Sequence, residues 1–292
     1  MLLGAHVSTA GGLIKAHERG VESESEAIQI FNQSPRMWRP TNYSPDDIAE
    51  FNELMANGPV KSVVIHAVYL INCASNEAEI RDKSIVSLTH ALLLGDAINA
   101  DGVVVHPGTL KGKPLEEGLE LAGEAFRMAL SGSDKCPLLL ENTAGAKGTL
   151  GRSFTELAEL LHRGGGSKRL GVCLDSCHLL ASGFEVRTRD GLSEVLDECM
   201  DAIGRERLQC LHVNDSKVPL GANRDLHAAL TEGEFGAKGL EVFLSEPRFD
   251  DLPVCLETPG PSGKIGLDEV RLARKLREKG VRARRAGRKT RG

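Results

Sequence analysis

Residues 170–183 read LGVCLDSCHLLASG, and six consecutive positions within them hold Cys173, Asp175, Cys177 and His178, all of types that bind metal ions. Thiolates would select a soft ion, whereas carboxylate with imidazole suits a hydrolytic zinc or manganese centre. The second pairing recurs at the ends of short apolar runs. KSVVIH ends at His66, DGVVVH at His106, CPLLLE at Glu141, GVCLD at Asp175, LQCLH at His212 and PVCLE at Glu257. Zinc lowers the pKa of a bound water from 15.7 toward about 7, so the chemistry these types offer is hydrolysis at neutral pH.

Each run is rich in leucine or β-branched residues, four to six residues long and bounded by Gly, Pro or polar residues, which predicts strands buried on both faces. LLGAHV and EAIQIF add two earlier strands, and helix-compatible stretches such as IVSLTHALLLGDAINA and FTELAELLHR lie between runs. The six endings are spaced 40, 35, 34, 37 and 45 residues apart, against about 36 for 292 residues divided by eight. That pattern predicts a (β/α)₈ barrel of the α/β class, with the six endings gathered on the rim where such barrels place their active sites. A doubly wound open sheet is the competing architecture, but it would not converge six strand ends on one point.

Strand side chains alternate, so the residue two before each ending points the same way as the ending itself. Val64, Val104, Leu139, Cys173, Cys210 and Cys255 should therefore form one interior layer, about 6.6 Å below the rim donors at two strand rises. Three are aliphatic, so the cysteines are read as small buried hydrophobes, with Cys177 a minor ligand candidate. Asp175 and His178 carry the metal chemistry of the opening stretch. His6, ending the first strand, looks like a seventh ligand, and His17, His90 and His162 fall in helical stretches as packing or surface residues.

No Pro- or Ser-rich linker divides the chain, and a single domain over 1–280 is expected. Charge is uneven: the net −5 is the sum of +10 in residues 271–292 and −15 elsewhere. The basic end, with 281–292 as a flexible tail, is either a solvated amphipathic terminus or a segment following nucleic-acid phosphates. No run approaches the roughly 18 apolar residues of a membrane span, and no export signal is evident. Seven cysteines, an odd number, argue against a disulfide framework and for a cytoplasmic protein.

GAHVSTAGG, FNQSPRMW, HAVYLINCAS, VVHPGT, LENTAG, GVCLDSCHLLASG, LHVNDSK, NRDLH and CLETPG follow one another along the chain. In that order they resemble the endonuclease IV family of apurinic/apyrimidinic endonucleases, built on a xylose isomerase-like barrel. The resemblance implies three zinc ions, with manganese an expected substitute at one. The first would take His66, His106 and Glu141; the second would share Glu141 and add Asp175, His212 and Glu257; the third would take His178, Asp225 and His227. Three Zn²⁺ against four carboxylates leave the cup at about +2, attractive to a phosphodiester. The implied reaction is hydrolysis 5′ to an abasic site in double-stranded DNA, leaving a 3′-hydroxyl and a 5′-deoxyribose phosphate, with removal of 3′-blocking groups. Arg36 and Tyr69 match the family positions that enter the helix at the lesion, and Lys217 is a candidate phosphate contact. A monomer is the simpler expectation.

Two positions depart from the family. Leu226 stands where Arg is usual between the Asp and His of the third-metal motif, and Thr231 stands where Gly is usual. The competing functions are a metal-dependent sugar isomerase or epimerase on the same barrel, and a non-catalytic protein that binds damaged DNA.

Overall fold

The computed structural model describes residues 1–258 and 266–289. Eight parallel strands close into a barrel: β1 (Leu2–His6), β2 (Ala27–Phe31), β3 (Ser62–His66), β4 (Gly102–Val105), β5 (Leu138–Glu141), β6 (Leu170–Asp175), β7 (Leu208–His212) and β10 (Pro253–Leu256). Closure falls between β1 and β10, where Leu2 pairs with Pro253 and Ala5 with Leu256. The doubly wound alternative is thereby excluded. β4 and β10 end one residue before His106 and Glu257, so those two donors stand on the first loop residue.

Helices α1 (Leu13–Glu22), α2 (Pro45–Asn57), α3 (Ala78–Ile98), α4 (Leu115–Ser131) and α5 (Phe154–Arg163) return the chain between successive strands. Their starts are written locally. Ser44 caps α2 in a reciprocal box with Asp47, and the Ser153 hydroxyl caps α5. Between β6 and β7 lie α6 (Ser176–Ala181) and α7 (Arg189–Ile203). Between β7 and β10 a two-stranded antiparallel sheet, β8 (Asp215–Ser216) with β9 (His227–Ala228), precedes α8 (Gly236–Leu244). Gly4 is required by close approach: a Cβ there would lie 1.6 Å from the Ala27 carbonyl oxygen, inside the β1–β2 contact.

Outward-facing strand residues pack on the helices in one large core. Inside the barrel, Val64, Val104, Leu139, Cys173 and Cys210 form a separate apolar cluster, and Cys255 is equally buried. This is the interior layer expected from alternation.

The chain shows no break at residue 280. Helix α9 (Leu267–Lys289) runs through it, so the expected flexible tail is helical as far as Lys289, and 290–292 lie outside the described residues. Its cations are anchored on acids. Arg271 and Arg274 meet Glu24, Arg277 lies 2.7 Å from Asp250, and Arg284 lies 2.5 Å from Glu246. Glu24, Asp250 and Glu246 all belong to helix-to-strand connections, at the rim opposite the strand C-terminal ends. The segment therefore does not border the donor cup.

Candidate metal centre

At the C-terminal rim a cavity of 310 Å³ is lined by His66, His106, Glu141, His178, Asp225 and His227, with Tyr69 and Glu257 at its wall. Three groups drawn from the nine expected donors meet there, each spanning no more than 4.8 Å: His66, His106 and Glu141; Glu141, Asp175, His212 and Glu257; His178, Asp225 and His227; a further group joins Cys177 to Asp175 and His227. Glu141 belongs to two of them, and the family-implied sets are brought together in the same groupings.

Local structure aims each side chain. Asp175 ends β6 and also caps α6: its Oδ1 accepts from the His178 backbone N–H at 2.8 Å, so one carboxylate fixes the helix that carries another donor. The His178 Nδ1–H donates to the Asn142 carbonyl at 2.8 Å and the His66 Nδ1–H to the Ala67 carbonyl at 2.7 Å, leaving each Nε2 facing the cup. β9 presents His227, and Asp225 just before it reaches both His178 Nε2 at 3.2 Å and His227 Nε2 at 3.0 Å.

Three amides went unnoticed in the sequence. Gln29 accepts from His212 Nε2 at 2.7 Å and donates to Glu257 Oε1 at 2.7 Å, holding two donors of one group with one side chain. Asn214 donates to Asp175 Oδ2 at 2.6 Å and to Glu257 Oε2 at 3.0 Å. Asn142 accepts from the Asp175 backbone N–H at 2.7 Å. Two of them directly follow or shortly follow a strand ending, in LENT and HVND, a weak signal. Gln29 gave none beyond being a polar residue facing inward from an apolar strand.

The electrostatics are those of a cation site. For Glu141, burial favours the neutral acid, yet His106 and His212 hold it well below the usual carboxylate range. Burial opposes the Glu257 charge too, but His212 brings it down to about 2. His178 is raised to about 10 by Asp175 and Asp225 against burial, and His212 is raised by Glu257 and Glu141. Protons on imidazoles thus supply positive charge that a metal would carry. The donors also fit an ion sterically. Buried Glu141 Oε2 makes no hydrogen bond, although His106 Nε2 is 2.9 Å and His66 Nε2 3.5 Å away. His178 Nε2 and His227 Nε2 approach to 3.4 Å around Asp225. An unpaired carboxylate oxygen with imidazole nitrogens crowded this closely around it is the donor chemistry that zinc takes.

The remaining candidates are placed as follows. His6 lies behind the ligands: burial lowers it to about 4, its ring packs 4.5 Å from Phe31, and Gln29 lies 3.1 Å from its Nδ1. Cys177 Sγ donates to the Leu226 carbonyl. Tyr69 is 63% exposed, with its ring against Phe31 and His66, and its N–H donates to the Pro35 carbonyl. Arg36 is exposed and follows Pro35, whose carbonyl accepts the Tyr69 N–H, so the two side chains stand on paired loops. Lys217 is exposed and its N–H bonds the Leu226 carbonyl, so it stands across the hairpin from the third group. Leu226 itself is 38% exposed, and Thr231 adopts a left-handed φ of 73°. Pro259 and Gly260 of CLETPG lie outside the described residues.

A closed barrel with its donors on the strand ends defines a xylose isomerase-like TIM barrel, and the family model of that description matches residues 18–281. Within that class the likenesses narrow. "Probable endonuclease 4" of Halothermothrix orenii is 40% identical over 265 residues, covering 90% of this chain and 95% of the relative. That of Carboxydothermus hydrogenoformans is 38% identical over 95% and 97%. The crystal structure of endonuclease IV from Thermus thermophilus superposes with a TM-score of 0.83 at 37% identity, covering 96% of this chain and all of that one. The chain belongs to the endonuclease IV family. A D-tagatose 3-epimerase-like protein, at 20% identity and a TM-score of 0.69, shares the fold alone.

Proposed function

We propose that this protein is a zinc-dependent DNA-repair endonuclease. It hydrolyses the phosphodiester 5′ to abasic sites in duplex DNA, leaves a 3′-hydroxyl and a 5′-deoxyribose phosphate, and trims 3′-blocking groups. The observation that carries this reading is the convergence of nine side chains into three adjoining donor groups with Glu141 common to two. His66, His106 and Glu141 would hold one zinc ion, Glu141, Asp175, His212 and Glu257 a second, and His178, Asp225 and His227 a third, with manganese an acceptable occupant of one. When bound, such ions supply Lewis-acid charge for a phosphodiester and a water acidified to near neutrality.

The chain's own residues do the rest. Glu141 sets the separation of the first two groups. Gln29 and Asn214 hold His212, Glu257 and Asp175 in fixed orientations, so no reorganisation is needed when charge develops on the phosphate. Asp225 and His227, on a hairpin, lie on the outer side of the cup, where a departing 3′-oxygen would emerge. Tyr69 and Arg36 project from paired loops beside it, and an abasic nucleotide, lacking a base to unstack, enters such a pocket at low cost. Lys217 would meet a flanking phosphate. The described residues include no helix long and apolar enough to cross a membrane, and we take the enzyme to act as a cytoplasmic monomer with its barrel as one domain.

The test is incision of a duplex carrying one tetrahydrofuran abasic analogue, with product ends mapped. The analogue cannot undergo β-elimination, so a single nick 5′ to it with a free 3′-hydroxyl, lost on chelation and restored by zinc, supports hydrolysis. Absence of a nick from fully zinc-loaded protein would sink the reading. Tight binding without turnover would identify a damage-binding protein instead, and turnover of a ketose sugar a sugar epimerase.

A further inference from the structure

Directly beneath the second donor group lies chemistry that DNA hydrolysis does not use. The interior layer is sorted by kind around the barrel. Val64, Val104 and Leu139 on β3, β4 and β5 are hydrocarbon, whereas Cys173, Cys210 and Cys255 on the neighbouring strands β6, β7 and β10 are thiols. Each thiol sits two residues before Asp175, His212 or Glu257. Cys173 pairs in register with Cys210, and Cys255 pairs in register with His212 on the next strand. All three are fully buried and none is in a disulfide. Filling the barrel requires only volume, which the aliphatic half supplies without sulfur.

The sulfurs of Cys173 and Cys210 and a ring nitrogen of His212 all lie within 4.8 Å of one another. Ligands about 2.3 Å from a shared ion stand about 3.8 Å apart in a tetrahedron, so the three need move together by only about 1 Å. We propose that Cys173, Cys210 and His212, with Cys255 as the fourth donor, form a buried site for a thiophilic cation such as Cd²⁺. Thiolate is the soft donor that such ions prefer over carboxylate. On binding, Cys173, Cys210 and the His212 ring each release a proton to solvent, so that two thiolates neutralise the dication beside a neutral imidazole while Cys255 remains a thiol. The buried site then carries no net charge, which an apolar interior requires.

His212 belongs to both layers. Its ring is held between Gln29 on one side and Glu141 with Glu257 on the other. Turning a nitrogen toward the sulfurs breaks those contacts, so the thiol site and the second donor group compete for one imidazole. A thiophilic ion therefore disables the cup from below, by a route distinct from replacing an ion within it.

The experiment is a cadmium chloride titration of metal-free, full-length protein, following the ultraviolet charge-transfer band of cadmium–thiolate bonds. The band should saturate at one equivalent, vanish in Cys210→Ala and in Cys173→Ala, and persist in Cys136→Ala, whose thiol lies away from the barrel interior. Preloading with zinc should raise the cadmium needed by tenfold or more. No band in the wild-type protein, or one that survives either barrel substitution in a variant with an unaltered melting curve, overturns the site. The two substitutions on different strands keep the result decisive should one impair folding. The readout needs no DNA, so its failure and that of the nuclease reading are separable.

Discussion

Gln29 shows how a single buried amide can govern a candidate metal-binding group without being one of its donors. Its oxygen takes the His212 Nε2–H and its nitrogen donates to Glu257, so the tautomer of one donor and the rotamer of another depend on one side chain. Gln29→Met keeps the volume and removes both bonds. Outer partners of this kind are worth 10–100-fold in metal affinity, and a loss of about that size is expected in chelator competition. An affinity within twofold of wild type would show that His212 and Glu257 orient themselves. His178 sets a pH dependence. Burial disfavours its charge, but Asp175 and Asp225 raise it to about 10, above the ordinary 6.5. The charged ring therefore stabilises the metal-free fold fully below pH 6.5, and that contribution is lost as pH rises through 10. Zinc must displace the same proton, so zinc affinity should climb steadily over that interval while the metal-free melting temperature falls. A flat affinity profile from pH 6.5 to 10 would contradict the assignment of His178 as a ligand.

At the scale of elements, the hairpin of β8 and β9 and the turn after it carry Leu226 and Thr231. Asp215 gathers the backbone N–H groups of Gly233, Phe235 and Gly236 at 3.1, 2.8 and 3.2 Å, which fixes the entry to α8. That tight return forces Thr231 to a φ of 73°, a conformation costly for a β-branched residue. Thr231→Gly should stabilise the protein by about 1 kcal/mol, seen as a higher urea midpoint with unchanged slope. Helix α9 makes the opposite case, where charge alone misleads. Truncation after Gly280 removes the Arg284–Glu246 pair on the rim away from the cup. It should lower the melting temperature by about 2 °C, as expected for loss of about 1 kcal/mol, and leave the salt slope of DNA binding unaltered. A flattened slope would return the segment to the DNA interface. The barrel was legible because short apolar runs buried on both faces, six of them closed by a donor, are local patterns, which is why His66, His106, Glu141, Asp175, His212 and Glu257 could be placed from spacing. His178, Asp225 and His227 meet only through α6 and a hairpin, and no periodicity encodes that meeting. The α9 cations find acids up to 250 residues away, a pairing that composition cannot foretell.

For the molecule as a whole, the donors tie together strands that are remote in the chain, from His66 on β3 to Glu257 after β10, across the barrel mouth. Glu141, Asp175, Asp225 and Glu257 place four carboxylates on one rim, and the imidazoles between them hold protons only because those carboxylates are there. Removing metal therefore leaves a rim whose compensation is itself pH-dependent. An ion that binds only the folded state stabilises it by RT ln(1 + [L]/Kd), about 4 kcal/mol per site at a thousandfold excess over Kd. Exhaustive chelation should accordingly lower the melting temperature by several degrees. The drop should be larger at pH 9 than at pH 7, because the imidazole protons that substitute for the ions are then being lost. Calorimetry of zinc-loaded and metal-free protein at the two pH values measures both effects. Equal melting temperatures after metal removal would mean that the barrel holds its rim without ions, and that the donor groups contribute to chemistry but not to the stability of the fold.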